Sequence, residues 1–342
     1  MLHTGAEMLA ELREAPLAVR RQALDLATLR DLAARCRRHP PDVVVTCARG
    51  SSAHAASFGK HLIERHIGVP VAAAAPNIAT VYRRPLKLKN QLVLVISQSG
   101  QSDDLREFAL MSKSEGAITV AVVNDTGSPL AADCDLVLPI EAGPERSIAA
   151  TKSFIASLSI LLRLAAEWAG SRTMRSAMDR LPDRLAEAAE LDWSAALETL
   201  AGAKNIATLG RGPTLSIARE AALKLKETCH VHAEAFSGAE FQHGPVTLVS
   251  PEYPVVMFAP SDAAARGLTV LAADLRAKGA PLFWTGLGDP ADGHLPTLVP
   301  EQPEADAVCL IQSFYALTIQ IAARRGTDVD RPRHLQKVTR TR

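Results

Sequence analysis

The stretch that most limits how this chain can fold is Leu92-Val93-Leu94-Val95-Ile96-Ser97-Gln98-Ser99-Gly100-Gln101-Ser102, an apolar run that stops abruptly in small hydroxyl, amide and glycine residues. An amphipathic helix is predicted directly after it, over about 103–115, with Leu105, Phe108 and Leu110 as apolar positions and Gly116 as its stop. In an open α/β sheet, ligands sit beyond the carboxyl ends of the strands, and a helix start there offers unpaired backbone N–H groups to an anion. Ser97, Ser99 and Ser102 add hydroxyl donors, and no lysine or arginine lies in the loop. It therefore differs from the Gly-x-x-x-x-Gly-Lys nucleotide loop and suits a small phosphorylated ligand held by neutral donors. The plainer alternative is a polar strand-to-helix connection with an N-cap serine.

Strand-length apolar runs over 43–47, 69–75, 92–96, 118–123 and 136–139 alternate with candidate helices, the pattern of a doubly wound parallel sheet. A helical stretch from Thr151 to about Trp193 separates this half from a second one that begins the same way. Val43-Val44-Val45-Thr46-Cys47-Ala48-Arg49-Gly50 is echoed by Asn205-Ile206-Ala207-Thr208-Leu209-Gly210-Arg211-Gly212, and further strands are predicted over 255–259 and 282–285. Duplication of one α/β unit explains the echo, although two independent strand-glycine-helix turns would give it too. The expected fold class is α/β, with two tandem domains, each a doubly wound parallel sheet flanked by helices. The expected division is an N-terminal helical segment over 1–40, a first domain over 41–170, linking helices over 171–200 and a second domain over 201–342. The copies are unequal: Ser261-Asp262 stands where the first has its serine-rich loop, and the aspartate would repel phosphate, so one phosphate site per chain is expected.

With 38 basic and 37 acidic residues and only 4% aromatics, the chain lacks the electrostatic footprint and the stacking platform of a nucleic-acid binder. No signal peptide is recognisable, and no window of about 18 uncharged apolar residues is apparent, so a soluble cytoplasmic protein without membrane contact is expected. The cysteines Cys36, Cys47, Cys134, Cys229 and Cys309 are odd in number and scattered, which suits reduced, mostly buried thiols. His230 and His232 alternate, but nothing stands at ligand spacing beside them, and no metal is expected.

The chemistry-bearing residues gather in the second half. Glu220-Ala221-Ala222-Leu223-Lys224-Leu225-Lys226-Glu227 is predicted to be helical, with Glu220, Lys224 and Glu227 on neighbouring turns of one face. Such spacing also describes a solvated, salt-bridged surface. His243 precedes Gly244-Pro245, which places it on a constrained loop and favours acid-base use over core packing.

Taken together, Ser97-Gln98-Ser99-Gly100, Ala150-Thr151-Lys152, Glu220 to Glu227, His232-Ala233-Glu234-Ala235, His243-Gly244-Pro245 and Gly326-Thr327-Asp328-Val329-Asp330-Arg331-Pro332-Arg333-His334-Leu335-Gln336-Lys337 occur in the order found in the sugar isomerase (SIS) superfamily. The chain resembles the isomerase half of glutamine:fructose-6-phosphate amidotransferases over nearly its entire length. The resemblance implies that Ser52, Ser97, Gln98, Ser99 and Ser102 bind a sugar phosphate, joined by backbone near Ile148, with Glu220 also at the substrate. It implies Glu227 as the base that moves a proton between C1 and C2, Lys224 as its assistant at the adjacent oxygen, His243 as the ring opener and Lys337 as the imine former. It further implies a homodimer with shared active sites, in which the histidine loop reaches the neighbouring subunit. The residue types agree with that chemistry, which needs a carboxylate, cationic or hydrogen-bonding groups at the enol oxygen, and no cofactor.

Three differences from the family pattern bear on the substrate. Ala150 stands where serine is common, Gln242 where lysine precedes the histidine, and the tail ends Thr339-Arg340-Thr341-Arg342. Only about forty residues precede the first strand, so no glutaminase domain is expected. The resemblance then implies the reverse use of the isomerase half: glucosamine 6-phosphate to fructose 6-phosphate with release of ammonia. Another amino sugar phosphate or glycated amine phosphate, or a non-catalytic sugar-phosphate sensor, are the alternatives.

Overall fold

All six residues of the run 92–97 are buried in the computed structural model, which describes residues 5–286 and 293–337. A strand covered on both faces has no polar face to show, which is why this run does not alternate. The chain divides into two compact units, each built on one parallel sheet.

The first sheet contains β1 (Val44–Ala48), β2 (Val71–Ala73), β3 (Leu92–Ser97), β4 (Ile118–Val123) and β5 (Leu136–Pro139), in the order β2-β1-β3-β4-β5. Every neighbouring pair is parallel, with Ala48 in register with Ile96 across β1 and β3. The chain moves from β1 outward to β2, then returns to the other side of β1 as β3. That reversal makes the carboxyl ends of β1 and β3 a topological switch point, the place where doubly wound sheets take their ligands. Val45, Val93, Val95, Phe108 and Leu130 form the core on one side of this sheet. This unit comprises residues 17–144, 152–179 and the tail at 336–337.

The second sheet contains β6 (Asn205–Gly210), β7 (His232–Ser237), β8 (Val255–Phe258) and β9 (Leu282–Trp284), in the order β7-β6-β8-β9 and again all parallel. The same reversal falls between β6 and β8. Gly210 ends β6 because a Cβ there would lie 2.2 Å from the Thr214 carbonyl oxygen. Ala207, Leu209, Met257, Leu268 and Trp284 supply the core of this unit, which comprises 5–16, 145–151 and, among the described residues, 180–335. β7 is a strand that the sequence does not announce. It is an edge strand with His232 and Glu234 exposed, so it lacks the apolar run that marks the central strands.

Two expectations require correction. The helical stretch from Thr151 to Trp193 is two helices, Lys152–Trp168 and Arg172–Ala188, separated at Gly170, whose φ of 66° suits a helix end. The expectation that no segment could span a membrane overlooked the helix Pro303–Arg325, which is long and apolar enough by length and composition. In this structure 78% of its apolar window is buried, and it packs against the helix Thr214–Cys229. Phe314 on this helix meets Phe258 of β8 edge to face, with ring centroids 5.6 Å apart.

All five cysteines are free and buried. Burial raises the thiol pKa of Cys36 and Cys229 to about 11 and of Cys47, Cys134 and Cys309 to about 12. Only the thiolate attacks a disulfide reagent. At pH 8 the folded protein is therefore expected to leave all five thiols unlabelled by dithionitrobenzoate, and the urea-unfolded chain to titrate five. Rapid labelling of the folded protein would contradict this.

Candidate active site

Two clusters of polar residues stand out, one in each unit. The first lies at the carboxyl ends of β1 and β3. Ser52 is in the first turn of the helix Gly50–His66 that follows β1, and Ser97 to Ser102 run from the end of β3 to the start of the helix Asp103–Ser114. Because β1 and β3 are paired, these two helix starts are brought side by side. Arg49 binds them together: its Nε and Nη2 donate to Asp104 Oδ2 at 3.0 and 2.8 Å, and Asp104 is 1% exposed. The loop shapes itself through its own hydroxyls, since the Gly100 amide donates to Ser97 Oγ at 3.2 Å and the Gln101 amide to Ser99 Oγ at 3.3 Å.

Gly100 has a φ of 62°, and a Cβ on it would lie 2.1 Å from Ser128 Oγ, so both conformation and space require glycine. Ser102 occupies the N-cap position of the 103–114 helix, but its hydroxyl makes no capping bond. The Ser102 hydroxyl is therefore uncommitted at the helix start, where the Leu105 amide donates to Asp104 Oδ1 at 2.9 Å. Gln98, Ser99 and Ser102 are half-buried, as is Ser52, which leaves them reachable by a ligand.

The second cluster lies on the helix Thr214–Cys229. Lys224 is 1% exposed and Glu220 is fully buried, which removes the solvated-surface reading of this face. Lys224 Nζ lies 3.3 Å from Glu220 Oε1 and donates to Glu227 Oε2 in a tight contact. Tyr315, on the 303–325 helix, donates its hydroxyl to Glu220 Oε1 at 3.2 Å. Burial alone would lower the Lys224 pKa, but the charges of Glu220 and Glu227 outweigh it and hold the ammonium on above the usual lysine range. Burial, with the Glu220 charge next, pushes the Tyr315 phenol well above its usual range and keeps it a hydrogen-bond donor. Glu227 is the partly exposed member, with 19% of its side chain accessible. The arrangement thus offers one reachable carboxylate backed by a buried cation, whose other side is anchored by a second carboxylate and a phenol.

Tyr315 is the member that sequence reasoning missed. It contacts Glu220 rather than standing near it in the chain, 95 residues away, and only the packing of two helices reveals it.

The remaining expected residues fall elsewhere. Ile148 lies on the segment 145–151, where its amide donates to Asp330 O at 3.0 Å. Glu11 Oε1 accepts from the Arg146 and Ser147 amides of the same segment. Asp330 also accepts from the amides of Gly5, Glu7 and Met8, at 3.0, 3.2 and 2.8 Å, and so caps the first helix. His243 is exposed on the turn after the short helix Gly238–Phe241, next to Gly244 with a φ of 128°, and its side chain makes no hydrogen bond among the described residues. Lys337 is half-buried at the end of the described chain and belongs to the unit of the first sheet.

Two doubly wound sheets in tandem, the first with a neutral phosphate-type loop at its switch point, define a duplicated sugar-isomerase architecture. A family model described as "SIS domain" matches residues 40–166 and 199–287, and the chain belongs to this family. It is homologous to the isomerase domain of glutamine–fructose-6-phosphate aminotransferase (isomerizing). The Symbiobacterium thermophilum enzyme is 34% identical over 96% of this chain and 58% of its own length, and that of Gluconobacter oxydans is 34% identical over 87% and 51%. The chain thus spans about half the length of the curated relatives it matches. Among solved structures, a Silicibacter pomeroyi DSS-3 protein described provisionally as a phosphosugar isomerase is 39% identical, with a TM-score of 0.91 over 95% of this chain and 99% of its own. Glucosamine-6-phosphate deaminase from Thermotoga maritima shares the fold, at 22% identity and a TM-score of 0.76 over 98% and 100% of the two chains.

Proposed function

We propose that the chain is an amino sugar phosphate isomerase that converts glucosamine 6-phosphate and water to fructose 6-phosphate and ammonia. The observation that carries this reading is the buried Glu220–Lys224 pair with partly exposed Glu227 beside it. In the open-chain sugar, Glu227 removes the proton from C2 and returns it to C1. Lys224 stabilises the charge that develops on the neighbouring heteroatom. The C2 imine so formed exchanges its ammonia for the amine of Lys337, and water then cleaves that lysine imine to leave the ketone and the free amine. Lys337 is assigned to an imine with the ketose carbonyl, the role of a nucleophilic amine, and His243 to opening of the ring. Ser52, Ser97, Gln98, Ser99 and Ser102 hold the phosphate, with Ile148 and Glu220 completing the substrate-contacting set. A homodimer in which the His243 loop serves the partner's site accords with the exposure of that loop and with the family resemblance. The likeness to aminotransferases named as isomerizing, and to the fold of a glucosamine-6-phosphate deaminase, supports the same reaction class.

The test is to incubate the purified chain with a panel of hexosamine 6-phosphates and measure ammonia. Release from glucosamine 6-phosphate is expected, and absence of ammonia from every member of the panel would overturn the reading. In the same assay Ser97→Ala/Ser99→Ala should raise KM strongly. Each lost hydrogen bond to a charged group is worth about 1.5–3 kcal/mol, or roughly 10-fold to 150-fold. A KM unchanged in the double variant would remove the phosphate assignment.

A further inference from the structure

The end of the 214–229 helix opens on a concavity of about 340 Å³ lined by Lys226, Glu227, His230, His232, Arg333 and His334. Its charge is lopsided. Two permanent cations and three imidazoles face one carboxylate, and Glu227 already accepts from Lys224. Among the described residues, none of the five basic side chains makes a hydrogen bond or a salt bridge, and His230 Nε2 is enclosed without a partner. Like charges gathered without a counter-charge repel one another, and an oxyanion among them relieves that repulsion. The carbonyl end of the helix opposes this, because it carries partial negative charge. That opposition is weakened here: Arg325 Nε donates to Cys229 O at 2.7 Å and covers the last turn with a guanidinium.

We propose that this concavity binds a small oxyanion, a carboxylate or a phosphate, between Arg333, Lys226 and the three histidines, and that binding is accompanied by protonation of His230. Every lining residue belongs to the unit of the second sheet, whereas the serine loop after β3 belongs to the other unit. In the free protein, burial and then the charges of Arg333, Arg325 and His334 lower the His230 pKa, so that the imidazole is neutral near pH 7. The groups around it are Lys226, Glu227, Cys229, His232, Arg325, Arg333 and His334; only Glu227 is acidic, and the Cys229 thiol is protonated. A bound anion reverses the sign of this environment and raises the His230 pKa. Proton uptake and tighter binding at low pH follow.

The experiment is isothermal titration of the full chain with succinate and, separately, inorganic phosphate, in the Ser97→Ala/Ser99→Ala background so that the serine loop does not contribute. One saturable event is expected, strengthening several-fold from pH 8 to pH 5.5, with a buffer-dependent heat that reports proton uptake. The exposed residue Arg333 can be replaced without disturbing the core. Arg333→Ala should weaken binding at least about 10-fold, in keeping with the loss of a charged hydrogen bond, and Lys226→Ala should weaken it less. His230→Asn, chosen because asparagine tolerates the φ of 53° found there, should retain binding but lose most of the proton uptake. Tighter binding of succinate than of phosphate would identify a carboxylate as the occupant, and the reverse order a phosphate. No saturable event with either anion, or equal affinity in Arg333→Ala, would overturn the inference. These are binding readouts, so they stand or fall independently of whether the chain releases ammonia from glucosamine 6-phosphate.

Discussion

Glu227→Gln is expected to bind glucosamine 6-phosphate with little change but to turn it over about 10² to 10⁴ times more slowly, the range for loss of a general base. Glutamine keeps the shape of the side chain and can still accept from Lys224 through its amide oxygen. The folded structure should therefore survive, because the side chain is 19% exposed and is not part of the apolar core. What the amide lacks is the ability to take up a proton. Exchange of solvent deuterium into C1 or C2 of the substrate separates this from slow ammonia release, since exchange reports proton transfer alone. If Glu227→Gln exchanged deuterium at the wild-type rate, another residue would have to be the base.

Lys224→Met should be the most destabilising single change in this cluster. Glu220 is fully buried, and its carboxylate faces Lys224 on one side and the Tyr315 hydroxyl on the other. Methionine fills much of the volume but leaves a buried charge without its cation, a change that costs about 3–5 kcal/mol. Urea unfolding at pH 7 measures it, and a loss below about 1 kcal/mol would show that the pair carries little of the stability. The pH dependence has a defined sign. The wild-type pKa of Lys224 is raised, so its contribution is fully present below the usual lysine range and is lost as the pH rises through the folded value. In the variant, the unpaired carboxylates are relieved by protonation, so the deficit should shrink as the pH falls from 8 towards 5.

The two clusters differ in how much of them can be read without a structure. The strand 92–97 and the helix after it are visible because both leave a local trace: an unbroken apolar run, then small polar residues, then apolar positions at helical spacing. The glycine at 100 belongs to the same local pattern. Edge strand β7 and the 303–325 helix are harder. The first has only one of its six residues fully buried, and the second is apolar nearly all round, so its buried face leaves no contrast to detect. Within the 214–229 helix, the i,i+4 spacing of Glu220 and Lys224 is equally that of an exposed ion pair. Burial is what distinguishes it from such a pair, and burial is contributed by other elements.

The sequence by itself determined the residue types able to do chemistry, the parallel character of the strands and the repetition of one α/β unit, because each of these is written within a few turns or strands. Only the tertiary structure decided the strand orders that create a switch point between β1 and β3, the enclosure of Lys224 and Glu220, and the partnership with Tyr315. It also gathered Lys226 and His230 with Arg333 and His334, about a hundred positions further along the chain. Strand order and enclosure depend on which distant surfaces exclude water from one another, and no local spacing records that choice.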